Sequence, residues 1–502
     1  MKQPMSRSTE GCWTCRIRHR KCDELRPVCK ECSDRSISCH GYGPKPGWVD
    51  DPSQLDAELT RIKRAVNENF RRNKRLRKGR PSTPRELPGQ FAVLDLAESA
   101  APAPAPSDIS PSQGMPYRES HLLIHYLDYI FPLQFPFYVD NPERGGRGWL
   151  FWLLMRNGPL NQAILTLSAL HHHTKFSSRS EATERELIEY HTRALQALRQ
   201  TLLQYQVEGF AASNERLIDF LGCGSSLVSF EIFRGGTSGW QPHLNALSMV
   251  VDRMVSSGLQ AESGQQAKEA DSVENAKNFL VALLLWFDLL ACTSIGASPK
   301  ISSYALWLGE GGIEMGPLMG CYNWTMKAIG DIGTLTSQLA SGDLEVSAEA
   351  LDVKDRLEAG LSQLDSAREP PIPRAHAVSR VFATAALVEL YTIYPDLRTE
   401  SFGVTEAVAR VMESIRLLPE RVSLRGLTWP ICVAGSMAEG DQQSFFDTMM
   451  TRILATSGPG FSNCGTVHQV MKQCWEHRKK QPGTPWNWRD AMDDMGICAL
   501  LV

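Results

Sequence analysis

Six of the chain's 13 cysteines fall between positions 12 and 39: Cys12, Cys15, Cys22, Cys29, Cys32 and Cys39. Their spacing, C-x2-C-x6-C-x6-C-x2-C-x6-C, is one half-pattern written twice. Two chemistries cluster cysteines in this way. Disulfide frameworks belong to secreted chains, and Met1 to Glu10 is polar, without the apolar stretch of a leader peptide. Metal fits better, because a two-residue gap lets both thiolates of a C-x2-C pair reach one tetrahedral ion at about 2.3 Å. Four thiolates satisfy one zinc, and two separate four-coordinate sites need eight. Six thiolates supply eight bonds only if two of them bridge, so the count predicts a binuclear cluster of two Zn2+ per chain. Few apolar residues lie nearby (Trp13, Ile17, Leu25, Val28, Ile37). Metal must therefore hold the segment folded, as structural zinc can with about 10–16 kcal/mol of binding free energy.

Around the cysteines, Arg16-Ile17-Arg18-His19-Arg20-Lys21 reads as a short helix with Thr14 as its cap. So many polar-basic side chains on less than two turns cannot be buried. They either form a solvated face neutralising the cluster, or enter the DNA major groove, where Arg or Lys donates to guanine O6 and N7. Gly41 to Trp48, rich in Gly and Pro, is a stiff exit. A helix is expected over 51–78, with Leu55, Leu59, Ile62, Val66 and Phe70 in a stripe. That stripe has two readings, a coiled-coil seam for homodimerisation or packing against its own chain. The run Arg71 to Arg80 reads as a nuclear localisation signal or a further phosphate contact. Residues 1–80 carry 20 Lys and Arg against 10 Asp and Glu, whereas the remainder carries 33 against 46. A basic head on an acidic body implies a polyanionic partner for the head alone.

Cys12-Trp13-Thr14-Cys15-Arg16-Ile17-Arg18-His19-Arg20-Lys21-Cys22-Asp23, followed by Arg26-Pro27-Val28-Cys29-Lys30-Glu31-Cys32, resembles the fungal Zn2Cys6 binuclear-cluster transcription factors. The resemblance implies that Cys12 and Cys29 bridge the two zincs. Cys15 and Cys22 then complete one site, and Cys32 and Cys39 the other. It also implies that Arg18 and His19 read bases in CGG-like triplets, with Arg16, Arg20 and Lys21 on phosphates. The family more often has Lys where this chain has His19.

From about Tyr117 the pattern becomes long helix-period apolar segments with few strand signals. Helices are expected at 117–131, 149–155, 159–175, 181–205, 214–233, 239–257, 273–293, 319–341, 347–366, 375–393, 403–417, 427–438, 441–455, 463–478 and 487–497. Glu119-Ser120-His121-Leu122-Leu123, Phe131-Pro132-Leu133-Gln134, Gly320-Cys321-Tyr322-Asn323-Trp324 and Trp488-Arg489-Asp490 are similar to landmarks of the second type of fungal-specific transcription-factor domain. The expected fold class is a small Zn2Cys6 metal-cluster domain plus a large all-α regulatory domain. The expected order is a disordered 1–10, a DNA-binding 11–45, and 46–80 with the helix and basic run. A disordered Pro/Ala-rich linker at 81–116 then leads to the regulatory domain at 117–502.

No enzyme motif emerges. His171-His172-His173 on a helix point about 100° apart and cannot share one ion, so they read as a polar run at a helix end. Asp288 and Glu231 lie within apolar helices, as buried, paired carboxylates. The longest apolar run, Phe279 to Cys292, is short for a bilayer and reads as a buried helix; no membrane is expected. The overall expectation is a nuclear, zinc-dependent, sequence-specific regulator with double-stranded DNA as its partner. The acidic stretch Asp343 to Glu358 is either a contact for the transcription machinery or a solvated helix face. The rival reading is a cytosolic zinc-thiolate buffer or redox sensor, against which the basic head argues.

Overall fold

The computed structural model describes residues 11–18, 22, 24, 29–33, 39–43, 46, 49, 62 and 115–502, except 157, 176–180, 209–213, 238, 257–268, 342–346, 367–372, 399–402, 458–460 and 484–485. The chain divides into two compact units, Met1–Gln90 and Phe91–Val502. Among the described residues the secondary structure is helical and no strand occurs.

The head holds α1 (Trp13–Ile17) and α2 (Lys30–Ser33). In the body, α3 (Tyr117–His125) passes into a π-helical turn (Tyr126–Ile130) and α4 (Phe131–Gln134). Then come α5 (Gly148–Met155), α6 (Pro159–Lys175), α7 (Glu181–Glu208), α8 (Asn214–Phe233), α9 (Trp240–Ser256) and α10 (Glu269–Ile295). Two short helices, α11 (Tyr304–Trp307) and α12 (Met315–Met319), precede α13 (Asn323–Ala340), α14 (Ser347–Ser366) and α15 (Arg374–Ile393). The chain closes with α16 (Val404–Arg416), α17 (Thr428–Met437), α18 (Asp441–Ser457), α19 (Cys464–Lys480) and α20 (Trp488–Met495).

Every body helix expected from periodicity is present, and two depart from expectation in form. The first, expected as one helix over 117–131, widens to a π turn just before Pro132. A proline ring clashes with the carbonyl four residues earlier and offers no N–H, so the α register cannot continue through it. The second, expected over 319–341, begins only at Asn323, after α12 has ended at Met319. Gly320 sits at φ 82°, and a Cβ there would lie 2.3 Å from the Cβ of Phe137. Asn323 holds the break: its Oδ1 accepts from the Met315 amide (2.9 Å) and its Nδ2 donates to the Ile313 carbonyl (2.7 Å).

Two helices are buried on nearly all sides and form the spine of the body. Within α10, the run Phe279 to Cys292 has no exposed residue, and within α15 His376 to Tyr391 has only Arg380 partly exposed. The helix around the first run is longer than the run itself. Val273–Ile295 is long and apolar enough to cross a bilayer, and it lies inside the protein core instead, so burial rather than length decides its role. Asp288 stays in that core because its Oδ2 accepts the Ile301 amide at 2.8 Å. Trp286 meets Phe382 edge-on at 5.0 Å between ring centroids, joining α10 to α15. Buried tryptophans then tie distant elements through their single N–H. Trp429 donates to Thr293 Oγ1 (2.8 Å), Trp488 to Glu389 Oε2 (2.8 Å) and Trp240 to the Cys498 carbonyl (3.0 Å).

A candidate metal centre and nucleic-acid interface

The repeated half-pattern of the sequence becomes a repeated local structure. The Cys15 amide donates to Cys12 Sγ, and the Cys32 amide to Cys29 Sγ, both at 3.4 Å. Each C-x2-C pair thus winds the first turn of a short helix around its leading sulfur. Cys12, not Thr14, caps α1. Thr14 is instead buried inside it, and its Oγ1 accepts the His40 amide at 2.8 Å. Trp13 donates its backbone amide to the Gly41 carbonyl (3.0 Å) and its indole N–H to the Gly43 carbonyl (2.8 Å). These bonds clamp the exit segment against α1.

Cys12, Cys15, Cys29 and Cys32 place their sulfurs within 4.8 Å of one another. Four of the separations are 3.6 Å (Cys12–Cys29), 3.8 Å (Cys12–Cys32), 3.5 Å (Cys15–Cys29) and 3.9 Å (Cys15–Cys32). A tetrahedral zinc with bonds of about 2.3 Å requires sulfur edges of about 3.8 Å, so this donor set fits the ion in type and size. Cys22 and Cys39 join the same buried cluster. Cys22 Sγ accepts the Cys12 amide at 3.4 Å and meets the Tyr42 hydroxyl at 3.5 Å. All six cysteines are free thiols.

The electrostatics call for a cation. Burial pushes the Cys12, Cys15 and Cys32 thiols up, Cys15 to about 12, and neighbouring sulfurs add to the rise. Burial also acts on Cys22, but hydrogen bonds from Tyr42 and the Cys12 amide outweigh it and bring that thiol to about 7. Crowded, buried thiolates repel one another, and a divalent ion removes that penalty while binding them.

Where a helix was expected from Arg16, α1 begins at Trp13, and Arg18 is its C-cap. Arg16 is exposed and its guanidinium stacks over the Trp13 ring at 4.2 Å. Arg18 is half-buried, with a buried Nη1 that has no hydrogen-bond partner among the described residues. His19, Arg20 and Lys21 lie outside the described residues, as do most of the 51–78 helix, the run 71–80 and the linker. Ile62 is described, and it is buried in the cysteine core beside Ile17 and Tyr42. Spacing gave no sign of Tyr42 or of the Trp13 clamp. Ile62 was visible as a stripe residue, but not its destination.

Residues 10–48 match the fungal Zn(2)-Cys(6) binuclear cluster domain, and residues 121–502 match the fungal specific transcription factor domain. The chain belongs to the fungal-specific transcription factors. It is similar to the pestheic acid cluster transcriptional regulator 3 of Pestalotiopsis fici, with 28% identity over 98% of each chain. It is also similar to the trichothecene biosynthesis transcription regulator TRI10 of Trichoderma arundinaceum, with 29% identity over 77% of this chain and 98% of the relative. Transcription factor dibT of Pestalotiopsis microspora is 25% identical over 99% of this chain and 100% of its own length. No solved structure matches. The regulator is thus a DNA-binding transcription factor with a zinc-binding cysteine domain, not an enzyme and not a thiolate buffer.

The body's other notable polar cluster is the triple histidine, which lies at the end of α6 as expected. His171 and His173 are buried there. His171 Nδ1 lies 2.8 Å from His125 Nε2 on α3, and the His172 ring centroid lies 4.6 Å from that of His125. Burial lowers His125 and His171 to about 4, so both rings are neutral at pH 7 and pair as donor and acceptor.

Proposed function

We propose that this regulator acts in the nucleus, holding two zincs with its six head cysteines and binding CGG-type sites in genes read by RNA polymerase II. Cys12 and Cys29 bridge, Cys15 and Cys22 complete one site, and Cys32 and Cys39 the other. The observation carrying this reading is the buried sulfur cluster, whose edges of 3.5 to 3.9 Å suit tetrahedral zinc. The zinc supplies the fold of the head; the side chains around it supply recognition. Arg18 and His19 read the triplet, while Arg16, Arg20 and Lys21 contact phosphates, which position the head without specifying sequence. Arg16, exposed and braced on Trp13, suits that role. The 71–80 run directs nuclear entry, and 81–116 is an extended tether to the helical body at 117–502. Dimerisation through 51–78 and contact with the transcription machinery complete the proposal. Ile62, buried in the head's own core, is not available to a dimer seam. Because the relatives are named as regulators of biosynthesis or of a cluster, the targets are genes of a biosynthetic cluster.

The decisive experiment titrates the zinc-loaded chain against labelled duplexes with and without a CGG triplet, reading anisotropy. Preference of at least about tenfold for the triplet, lost on chelation, is expected from base contacts of roughly 1–3 kcal/mol each. Equal binding to both duplexes would overturn the triplet reading. Two zincs per chain by elemental analysis is the second expected result.

A further inference from the structure

Among the described residues, one side-chain hydroxyl meets a sulfur of the cysteine cluster. Tyr42 Oη lies 3.5 Å from Cys22 Sγ, and the Tyr42 side chain packs against the buried cysteine core. The segment that carries it is folded back onto α1. Gly41, at φ 67°, turns the chain in the left-handed conformation that glycine adopts most readily. Three hydrogen bonds from the start of α1 then fix the segment on both sides of Tyr42. The His40 amide donates to Thr14 Oγ1 (2.8 Å), the Trp13 amide to the Gly41 carbonyl (3.0 Å) and the Trp13 indole N–H to the Gly43 carbonyl (2.8 Å).

Cys22 is buried, and its sulfur also accepts the Cys12 amide at 3.4 Å. A zinc-bound cysteine is a thiolate with no proton to give, so the phenol is the donor in this contact. On the proposed assignment Cys22 binds one zinc, whereas Cys12 and Cys29 share their charge between two. A terminal thiolate keeps more of its negative charge than a bridging one. Six thiolates also outnumber the four positive charges of two Zn2+. A donated hydrogen bond is therefore worth most at such a terminal sulfur. It draws charge off the sulfur lone pairs, which lowers their reactivity toward electrophiles, and it fixes the direction from which the sulfur meets the metal.

We propose that Tyr42 is a positioning residue of the zinc centre: its hydroxyl donates to the Cys22 thiolate and protects that ligand from electrophiles and from loss of its zinc. The proposal rests on the assignment of Cys22 as a zinc ligand. Trp13, Thr14 and Gly41 serve it by holding the ring in place. The exit segment is thus part of the metal centre rather than a spacer that follows it.

Alkylation of the zinc-loaded full chain by iodoacetamide, read cysteine by cysteine by mass spectrometry, tests this. Tyr42→Phe keeps the ring and removes only the hydroxyl. Cys22 is expected to react about tenfold faster in that variant, while Cys15 and Cys32 change by less than about twofold. Competition with the chelator pyridylazoresorcinol should show zinc affinity lowered by about tenfold or more. In the cobalt-loaded chain the sulfur-to-cobalt charge-transfer band should move to longer wavelength, because the sulfur lone pairs lose the proton that stabilised them. An unchanged Cys22 rate in Tyr42→Phe overturns the proposal and leaves the ligand assignment standing. An equal rise at all six cysteines does the same, since it marks a ring that only packs. A Cys22 that is alkylated as fast in the zinc-loaded wild type as after chelation overturns the ligand assignment and the proposal together.

Discussion

At the scale of single residues, the head divides its labour between sulfur and nitrogen. Cys12 and Cys29 each take a backbone amide onto sulfur and lie 3.6 Å apart. Arg18, at the end of α1, keeps a guanidinium nitrogen without a hydrogen-bond partner among the described residues. On the proposed role of Arg18 in reading the triplet, Arg18→Ala is expected to cost about 1–3 kcal/mol on a CGG site and to relax preference there. Arg20→Ala should instead weaken all duplexes alike and reduce the salt slope by about one. Anisotropy titrations across salt concentrations on matched and mismatched duplexes distinguish the two. A second residue-scale consequence is acid sensitivity of the body. Burial lowers His125, His171 and His243 to about 4 from an ordinary 6.5. Unfolded chains then bind protons that the folded state refuses. These histidines contribute stability that is complete above about pH 6.5 and is lost as pH falls toward 4. Asp219 and Asp288, raised to about 6 by burial, act in the opposite sense. Burial also lowers His191 to about 4 and lowers His172, and it raises Glu231; with five histidines against three carboxyls, the body's urea midpoint should fall between pH 6.5 and 5, and a flat profile would contradict the neutral, buried rings.

At the scale of elements, the buried polar ties decide where helices sit. Glu389 on α15 is fully buried, accepts the Trp488 indole N–H and pairs with Arg489 on α20. Arg489→Met leaves that carboxylate without its cation, and breaking a buried pair costs about 3–5 kcal/mol. Thermal melting should fall by several degrees, whereas Arg416→Met, at an exposed pair with Glu413, should move it little. Gly320→Ala is expected to destabilise comparably with a core mutation, because its left-handed backbone and the Phe137 contact both oppose a Cβ. Helix positions in the body were legible because 3.6-residue periodicity is a local property. The π turn before Pro132 was half legible: the proline was visible, but not that the chain would widen rather than stop. The break at Gly320 was not read, because the partner that forbids a side chain there, Phe137, is remote in sequence.

At the scale of the whole molecule, the head and body draw their stability from different sources. Among its described residues the head buries five cysteines and Ile62, and so short a segment has too little apolar surface to fold without metal. The body buries two long apolar helices and their aromatic neighbours. Chelation should consequently abolish DNA binding and the protease resistance of residues 10–45 while leaving the body's melting transition in place; loss of both together would mean that zinc supports the body too. Deleting 71–80 should move a fluorescently tagged chain from nucleus to cytoplasm. What the sequence determined alone is the zinc-thiolate chemistry of the head, since ligand type follows from cysteine spacing, and the all-helical class of the body, since periodicity is written along the chain. Tertiary structure decided what spacing cannot carry. It showed that Ile62 is spent in the cysteine core, that His125 meets His171 across two helices, and that Glu389 meets Trp488 and Arg489 from a helix about a hundred residues away. Each of these depends on which distant residues share a volume, and that is fixed only when the chain packs.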